Sequence, residues 1–395
     1  MVRFWIGFDV GKQSHWVSVL DDEGGVLLSR KVEATEADLE AVLSEIAAFG
    51  EPGDRVVGID IVGGPATMLE ATLLERGERL LYLPGSAVNE ARKAYRGGEQ
   101  KSDPTDAKVI ADQLRFRWRS LQEIRPTDDG MAELRVLLAR RRDLVQDKTR
   151  QTTRLGATLL EIFPGLEAVL DLTKKGPLVA LTRVARPAQA RRLGEGRLAR
   201  WLKARRVRKA DELAHRIVDA AKVQRRELPA AEVKAELVAE LAAEVLRLKE
   251  RITALDGRLE ELMAADPKAK IVRSLPGMGL VLAAEFLAEA GDLSHFESAD
   301  CLAAAAGISP VLRSSGKTSY RRRARRGNRV LKRVFYQSAF LALADHEPSK
   351  AFYRRKRTEG KTHRQAVIGL ARRRVNVLWA MLRDGTTFEK RPSTA

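Results

Sequence analysis

The chain has one cysteine, Cys301, in 395 residues. That excludes an internal disulfide and any zinc site built on several cysteines. Histidine is almost as scarce. His15, His215, His295, His346 and His363 are scattered, and none lies close in sequence to the serines discussed below, so a Ser-His-Asp triad is not indicated. No apolar run approaches the roughly 20 residues that a membrane-crossing helix needs. The N-terminus, MVRFWIGFDV, goes straight into a strand pattern, with no secretory signal. These absences predict a cytoplasmic protein without a membrane partner. Acidic residues are missing from one region in particular. From Val311 to Val375 there are 20 Lys and Arg against 3 Asp and Glu, an excess of 17 within a total net charge of +18.

So much positive charge in so short a span repels itself unless a polyanion neutralises it. With a sequence pI near 10.2, the expected partner is nucleic acid. The front of the chain is the opposite. Met1 to Asp112 holds 12 Lys and Arg against 20 Asp and Glu, so an acidic and a basic module are expected. The length allows two or three domains with real cores, and 44% hydrophobic residues is ordinary for a globular chain.

In the acidic module, Phe4 to Val10 and Trp16 to Leu20 read as a hairpin-like strand pair. A helix over Ala37 to Phe49, a strand over Val56 to Ile61, a helix over Ala66 to Arg76 and a strand over Leu80 to Leu83 follow. That alternation predicts an α/β domain. Asp9 lies near the end of the first strand and Asp60 near the end of another, both inside apolar patterns where unpartnered burial is costly. Asp103 and Asp106 open a helix, with Asp103 suited to the N-cap and Pro104 to the first turn. Strand-end and cap roles explain each acid singly. Four carboxylates converging from two strand ends and a helix start also suit two hard divalent cations such as Mg²⁺.

Asp9 in DVGK, Asp60 in GID, and Asp103 with Asp106 in KSDPTDA resemble the RNase H/RuvC-like domain of the DEDD transposases. That is the one-ten insertion-sequence family of bridge-RNA-guided recombinases. The family pattern has Glu at the second acid, where this chain has the shorter Asp60. The resemblance implies that all four acids are catalytic metal ligands.

Asp128 to Phe163 reads as one long helix with a possible break near Gly156, ended by Pro164-Gly165. It carries Arg140, Arg141, Arg142, Lys148, Arg150 and Arg154, which suit phosphate and 2′-hydroxyl contacts. In the resembled family this region helps to hold guide RNA. Leu166 to Lys222 is Arg-rich and helical, and its Trp201 is either a core residue or a stacking platform. From Val238 to Leu262, apolar residues recur at spacings of 3 and 4, a heptad seam. A coiled coil between protomers and an intramolecular hairpin are both allowed, and self-association is the favoured expectation.

After Asp266-Pro267, the Pro276-Gly277-Met278-Gly279 turn joins two short helices. This looks like a helix-hairpin-helix, with Gly277 and Gly279 letting backbone N–H groups approach a phosphate. Ser314, Ser315 and Gly316 are expected on a loop before a helix over Leu331 to Leu343. The order SLPGMG, AGISP, Ser315-Gly316 and Gly327-Asn328 resembles the C-terminal transposase domain of the same family. The resemblance implies that Ser315 is a nucleophile, with Ser314 as its neighbouring alternative. Arg313, Lys317, Arg321, Arg322, Arg323, Arg325 and Arg326 would contact nucleic acid.

The expected architecture is therefore an α/β RNase H/RuvC-like domain with a trailing RNA-contacting helix (1–165), a helical linker and coiled coil (166–265), and a mostly α-helical domain with a helix-hairpin-helix (266–395). The resemblance implies an Mg²⁺-dependent recombinase with a transient phosphoserine link, its site assembled across domains. Its partners would be donor and target DNA, a structured noncoding guide RNA, and further copies of itself as dimer or tetramer, on the bacterial nucleoid. The alternatives are a water-using RuvC-like nuclease and a noncatalytic nucleic-acid-binding protein.

Overall fold

The computed structural model describes residues 3–95, 101–125, 129–291, 293, 296–316, 318–322, 324 and 327–389. The chain divides into two compact units, Met1–Asp128 and Asp129–Ala395.

In the first unit, β1 (Phe4–Val10), β2 (Ser14–Leu20) and β3 (Val26–Glu33) form an antiparallel meander. Then come α1 (Glu36–Ala47), capped by the Thr35 side chain, β4 (Arg55–Ile59), α2 (Thr67–Glu75), β5 (Leu80–Tyr82), α3 (Gly85–Arg92), α4 (Asp103–Arg117) and β6 (Gln122–Ile124). The sheet order is β3-β2-β1-β4-β5-β6, with β1, β4 and β5 mutually parallel. This mixed α/β sheet is consistent with a RuvC-like start.

Side chains alternate between the two faces of a strand, and that alternation sorts the sheet. Ile6, Phe8, Val10, Val57 and Ile59 pack with Leu39, Val42, Leu43 and Ile46 of α1 and with Leu69 and Leu73 of α2. The other face carries Gly7 and Gly58, which pair in register across β1 and β4. A Cβ on Gly7 would lie 2.2 Å from the Ala107 carbonyl oxygen, and one on Gly58 2.9 Å from the Leu114 side chain. Two missing side chains are therefore what seats α4 against the sheet. Asp9 and Asp60 lie two residues beyond these glycines, on the same face.

The second unit begins with α5 (Asp129–Ile162), a single helix that continues through Gly156. Five shorter helices follow: α6 (Pro164–Glu167), α7 (Lys175–Leu181), α8 (Pro187–Leu193), α9 (Glu195–Ala204) and α10 (Ala210–Val223). Next is α11 (Ala231–Ala265). Glu133 pairs with Arg258 and Glu161 with Lys234, each at 2.5 Å, so α5 and α11 run antiparallel. The seam is filled from within the chain. Leu248 and Ile252 pack on Leu144, Leu259 and Met263 on Leu134, Leu137 and Leu138, and Val238 and Val245 on Leu155 and Leu159. The favoured expectation that these residues face another protomer is corrected. At roughly 1.5–3 kcal/mol per buried aliphatic side chain, α5 takes the stabilisation that a partner helix would have supplied. α6 to α10 build their own core against the far end of this hairpin, around Phe163, Leu178, Leu198, Leu202 and Ile217.

The rest comprises α12 (Pro267–Ser274), α13 (Leu280–Ala290), α14 (Ala299–Ala305), the hairpin of β7 (Val311–Ser315) and β8 (Thr318–Arg322), α15 (Arg329–Asp345), α16 (Glu347–Thr358) and α17 (His363–Asp384). Phe286 and Phe335 meet edge to face at 5.7 Å in its core. Leu134, Leu137 and Leu138 of α5 join that core, so α5 packs with the second unit. Among the described residues, no helix is long and apolar enough to cross a membrane.

Candidate active site and nucleic-acid interface

The structure places Asp9 within electrostatic reach of Asp60, Asp106 and Asp103. Phe8 is in register with Ile59, so the next residues, Asp9 and Asp60, leave adjacent parallel strands at the same end. The Val10 N–H donates to Asp60 Oδ1 at 3.1 Å. The contact of α4 with Gly7 brings its N-terminal turn, with Asp103 and Asp106, to that end. Burial first, then the negative charges of Asp60, Asp106 and Asp103, push the Asp9 carboxyl up to about 7, against a smaller pull from Lys101. Burial also raises Asp60, opposed by backbone hydrogen bonds from Val10 and from its own N–H.

The N-cap of α4 is Ser102, not Asp103. The Ser102 hydroxyl turns to Thr105 Oγ1 at 2.8 Å, and Asp103 is the first helical residue, exposed to solvent. Asp103 is thereby free of the capping duty expected of it. Asp106 is buried, and Arg92 Nη1 donates to both its oxygens at 2.6 and 2.8 Å. Asn89 Oδ1 accepts from Arg92 Nη2 at 2.6 Å. Sequence reasoning did not single out Arg92, because it reaches Asp106 only through the packing of α3 on α4.

Among the described residues, no three metal-ligating side chains already converge closely enough to hold an ion. The donor set still fits a hard divalent cation. Its donors are all carboxylate oxygens, and a cation would displace the proton that burial, followed by the neighbouring carboxylates, favours on Asp9.

In the second unit, Ser314 and Ser315 end β7 instead of lying on a loop. They pair with Ser319 and Thr318 across a hairpin turned at Gly316, whose φ is +54°. A two-residue turn needs that left-handed conformation, and glycine supplies it without strain. Every β7 residue is exposed. Arg313 shares the Ser315 face of the ribbon, with Arg322 paired opposite Val311 on that face, whereas Arg321 lies on the Ser314 face. Beyond the hairpin, the Asn328 N–H donates to the Ala305 carbonyl at 2.7 Å at the start of α15. Lys317, Arg323, Arg325 and Arg326 lie outside the described residues.

The expected nucleic-acid residues are not equally available. On α5, Arg141 is tied to Asp256 at 2.5 Å and Arg150 pairs with Asp147, while Arg140, Arg142 and Arg154 are exposed. Gly277, at φ +77°, packs against α15, where a Cβ would lie 2.5 Å from the Ser338 carbonyl oxygen. Its smallness serves helix packing. Gly279 is open and precedes α13. Arg374 is buried between α17 and the same turn, donating to the Ser338 hydroxyl at 2.6 Å and to the Pro276 carbonyl. Burial lowers its pKa to about 10.

An acidic cluster at one end of a mixed α/β sheet, in a chain whose other unit is helical and cationic, is the pattern of a nucleic-acid-processing protein. A family profile described as Transposase matches residues 6–164, and one described as Transposase IS116/IS110/IS902 family matches residues 269–354. The chain is 42% identical to the 42 kDa protein of insertion element IS900 from Mycobacterium paratuberculosis, over 99% of this chain and 98% of that one. It is 43% identical to the 44.8 kDa protein of insertion element IS116 from Streptomyces clavuligerus, over 99% and 97%. A pilin gene-inverting protein of Moraxella bovis is 28% identical over 36% of this chain and 46% of its own. The chain belongs to the IS110/IS116 family of insertion-element transposases.

Proposed function

We propose that this transposase cuts and rejoins DNA through a transient phosphoserine link on Ser315. The observation that carries this is an exposed serine at the end of a cationic hairpin, on the face it shares with Arg313 and Arg322. The Ser315 oxygen attacks a backbone phosphorus, and the phosphorus–oxygen bond to the departing strand breaks. That strand leaves as a hydroxyl, its oxygen taking up through solvent the proton that the serine gives up. Attack by a strand-end hydroxyl on the phosphoserine reverses the step, so one phosphodiester is exchanged for another. Arginines facing the phosphate stabilise its added charge. Gene inversion, which the name of the Moraxella relative describes, is an outcome of such cutting and rejoining.

Asp9, Asp60, Asp103 and Asp106 would hold Mg²⁺, two ions by the charge of the set. When bound, the metal supplies charge neutralisation at the phosphate. A structured noncoding RNA pairing with donor and target DNA would select the sequences, held through the exposed cations of α5 and the C-terminal run. Assembly would be as a dimer or tetramer, through a surface other than the α5–α11 seam.

The test is Ser315→Ala beside Ser314→Ala. Both side chains are solvent-exposed, so both variants should fold and bind nucleic acid. Only Ser315→Ala should lose recombination, and wild-type protein on a nicked substrate should give a denaturation-resistant adduct mapping to Ser315. Strand cleavage by Ser315→Ala at the wild-type rate, without adduct, would assign the reaction to a water-using nuclease.

A further inference from the structure

The helices between α5 and α11 enclose a cleft of about 500 Å³ lined by Lys174, Lys175, Arg206, Arg208, Lys209 and Arg216. Two acids share it, and both are engaged. Asp171 accepts from the Thr173 N–H at 2.9 Å and its hydroxyl at 2.6 Å, and Glu212 pairs with Lys209 at 3.1 Å. The other five cations have no ion pair or side-chain hydrogen bond among the described residues, and all five are exposed.

The local sequence explains how they are presented. In the α9–α10 loop, Arg205-Arg206-Val207-Arg208-Lys209, only Val207 is apolar, and it is buried in the core of this helical region. Its neighbours Arg206 and Arg208 are thereby left at the surface. Gly176 of α7 makes room for that anchor, since a Cβ there would lie 2.9 Å from the Val207 side chain. The same approach brings the loop beside Lys174 and Lys175. Arg206 and Lys209 hold φ of +55° and +53°, two of only four non-glycine residues with positive φ among the described residues. Such a conformation is one that L-residues avoid, and it tends to persist at binding loops. The cationic surface also continues past the cleft. Lys249 of α11 lies close enough to Lys148 of α5 and to Lys174 for their charges, after burial, to lower its pKa.

We propose that this cleft is a docking site for the phosphate backbone of a nucleic acid, distinct from the Ser315 hairpin and joined to the cations of α5 through Lys249 and Lys148. Phosphate oxygens are the ligands that unpaired lysine and arginine heads on a preformed concave surface recognise. Base stacking is not the mode, because the nearby Trp201 ring is already covered by Arg205 at 3.9 Å and Arg183 at 5.3 Å. Contact is therefore electrostatic and indifferent to sequence. It anchors a helix or stem while pairing elsewhere chooses the site.

This proposal rests on the reading that the chain holds nucleic acid, and binding tests it apart from recombination. Full-length Lys174→Ala/Arg206→Ala/Arg208→Ala is compared with wild type for binding an RNA hairpin and a DNA duplex of the same stem sequence, across about 50 to 200 mM salt. Each lost phosphate contact lowers the slope of log affinity against log salt by about 0.9 on duplex DNA. The triple variant should lose roughly 2 to 3 from the slope and bind at least about tenfold more weakly near physiological salt, with unchanged circular dichroism. A loss confined to the hairpin assigns the cleft to RNA, and one confined to the duplex assigns it to DNA. Lys203→Ala/Lys222→Ala, which removes lysines already paired with Asp211 and Asp219, should change neither quantity. Unchanged slope and affinity in the triple variant, with wild type binding normally, overturns the cleft while leaving the transposase reading intact. Absence of salt-dependent binding by wild type sinks both.

Discussion

Arg92 of α3 clamps Asp106 of α4 with one guanidinium nitrogen reaching both carboxylate oxygens, and both side chains are buried. The arginine sets a positive charge directly against the Asp106 carboxylate inside the fold. Removing one partner of a buried pair leaves the other charge uncompensated. Arg92→Ala should therefore cost the metal-free protein about 3–5 kcal/mol in urea unfolding. If Asp106 also serves a cation, added Mg²⁺ should recover part of that loss. No recovery at saturating Mg²⁺ would remove Asp106 from the metal set.

The Asp9 carboxyl sits at about 7 instead of its ordinary 3.8, so the folded metal-free protein holds this proton more tightly than the unfolded chain does. The sign follows from linkage. Stability of the metal-free form should fall as pH rises from about 4 to about 7 and level off above. A cation needs the ionised form, so Mg²⁺ affinity should rise over the upper part of that range, with proton release on binding near pH 6 and none well above 7. Calorimetry in two buffers of different ionisation enthalpy measures the release. Asp9→Asn should abolish it, and persistence of the full proton release in that variant would assign the proton to another group.

Leu248 and Ile252 are buried against Leu144 of the same chain. A carboxylate at either position would be forced into the α5–α11 seam without a partner. Leu248→Asp/Ile252→Asp should cost at least about 3 kcal/mol and reduce the helical circular dichroism of the second unit. A protein of full helicity and halved mass by light scattering would instead return the seam to an interface between protomers.

Gly277 and Gly279 are two residues apart in the α12–α13 turn and do different things. Gly277→Ala adds left-handed strain and a clash with the α15 backbone, together about 2–4 kcal/mol. Gly279 has φ −75° and open space around its Cα, so Gly279→Ala should cost less than about 1 kcal/mol. Equal losses of melting temperature in the two variants would contradict this assignment.

Much of this was legible from the chain alone. Strand alternation around Ile6, Phe8, Val57 and Ile59 is a local property, and so is the placement of Asp9 and Asp60 at strand ends. The 3-and-4 spacing of α11 and the contrast between acidic front and basic rear are also written along the sequence. These features are set by neighbours a few residues apart, where periodicity and side-chain chemistry suffice. A seam's spacing says that a helix needs a partner but does not name it, and only packing assigned that role to α5. Nor does a count of arginines say which are spent. Arg141 is tied to Asp256, Arg374 is buried between α17 and the Pro276 turn, and Arg92 is committed to Asp106, whereas Arg206 and Arg208 stand free because Val207 anchors their loop. Charge and period belong to the sequence, while pairing between residues far apart belongs to the tertiary structure, which alone fixes the distances on which Coulomb attraction and close packing depend.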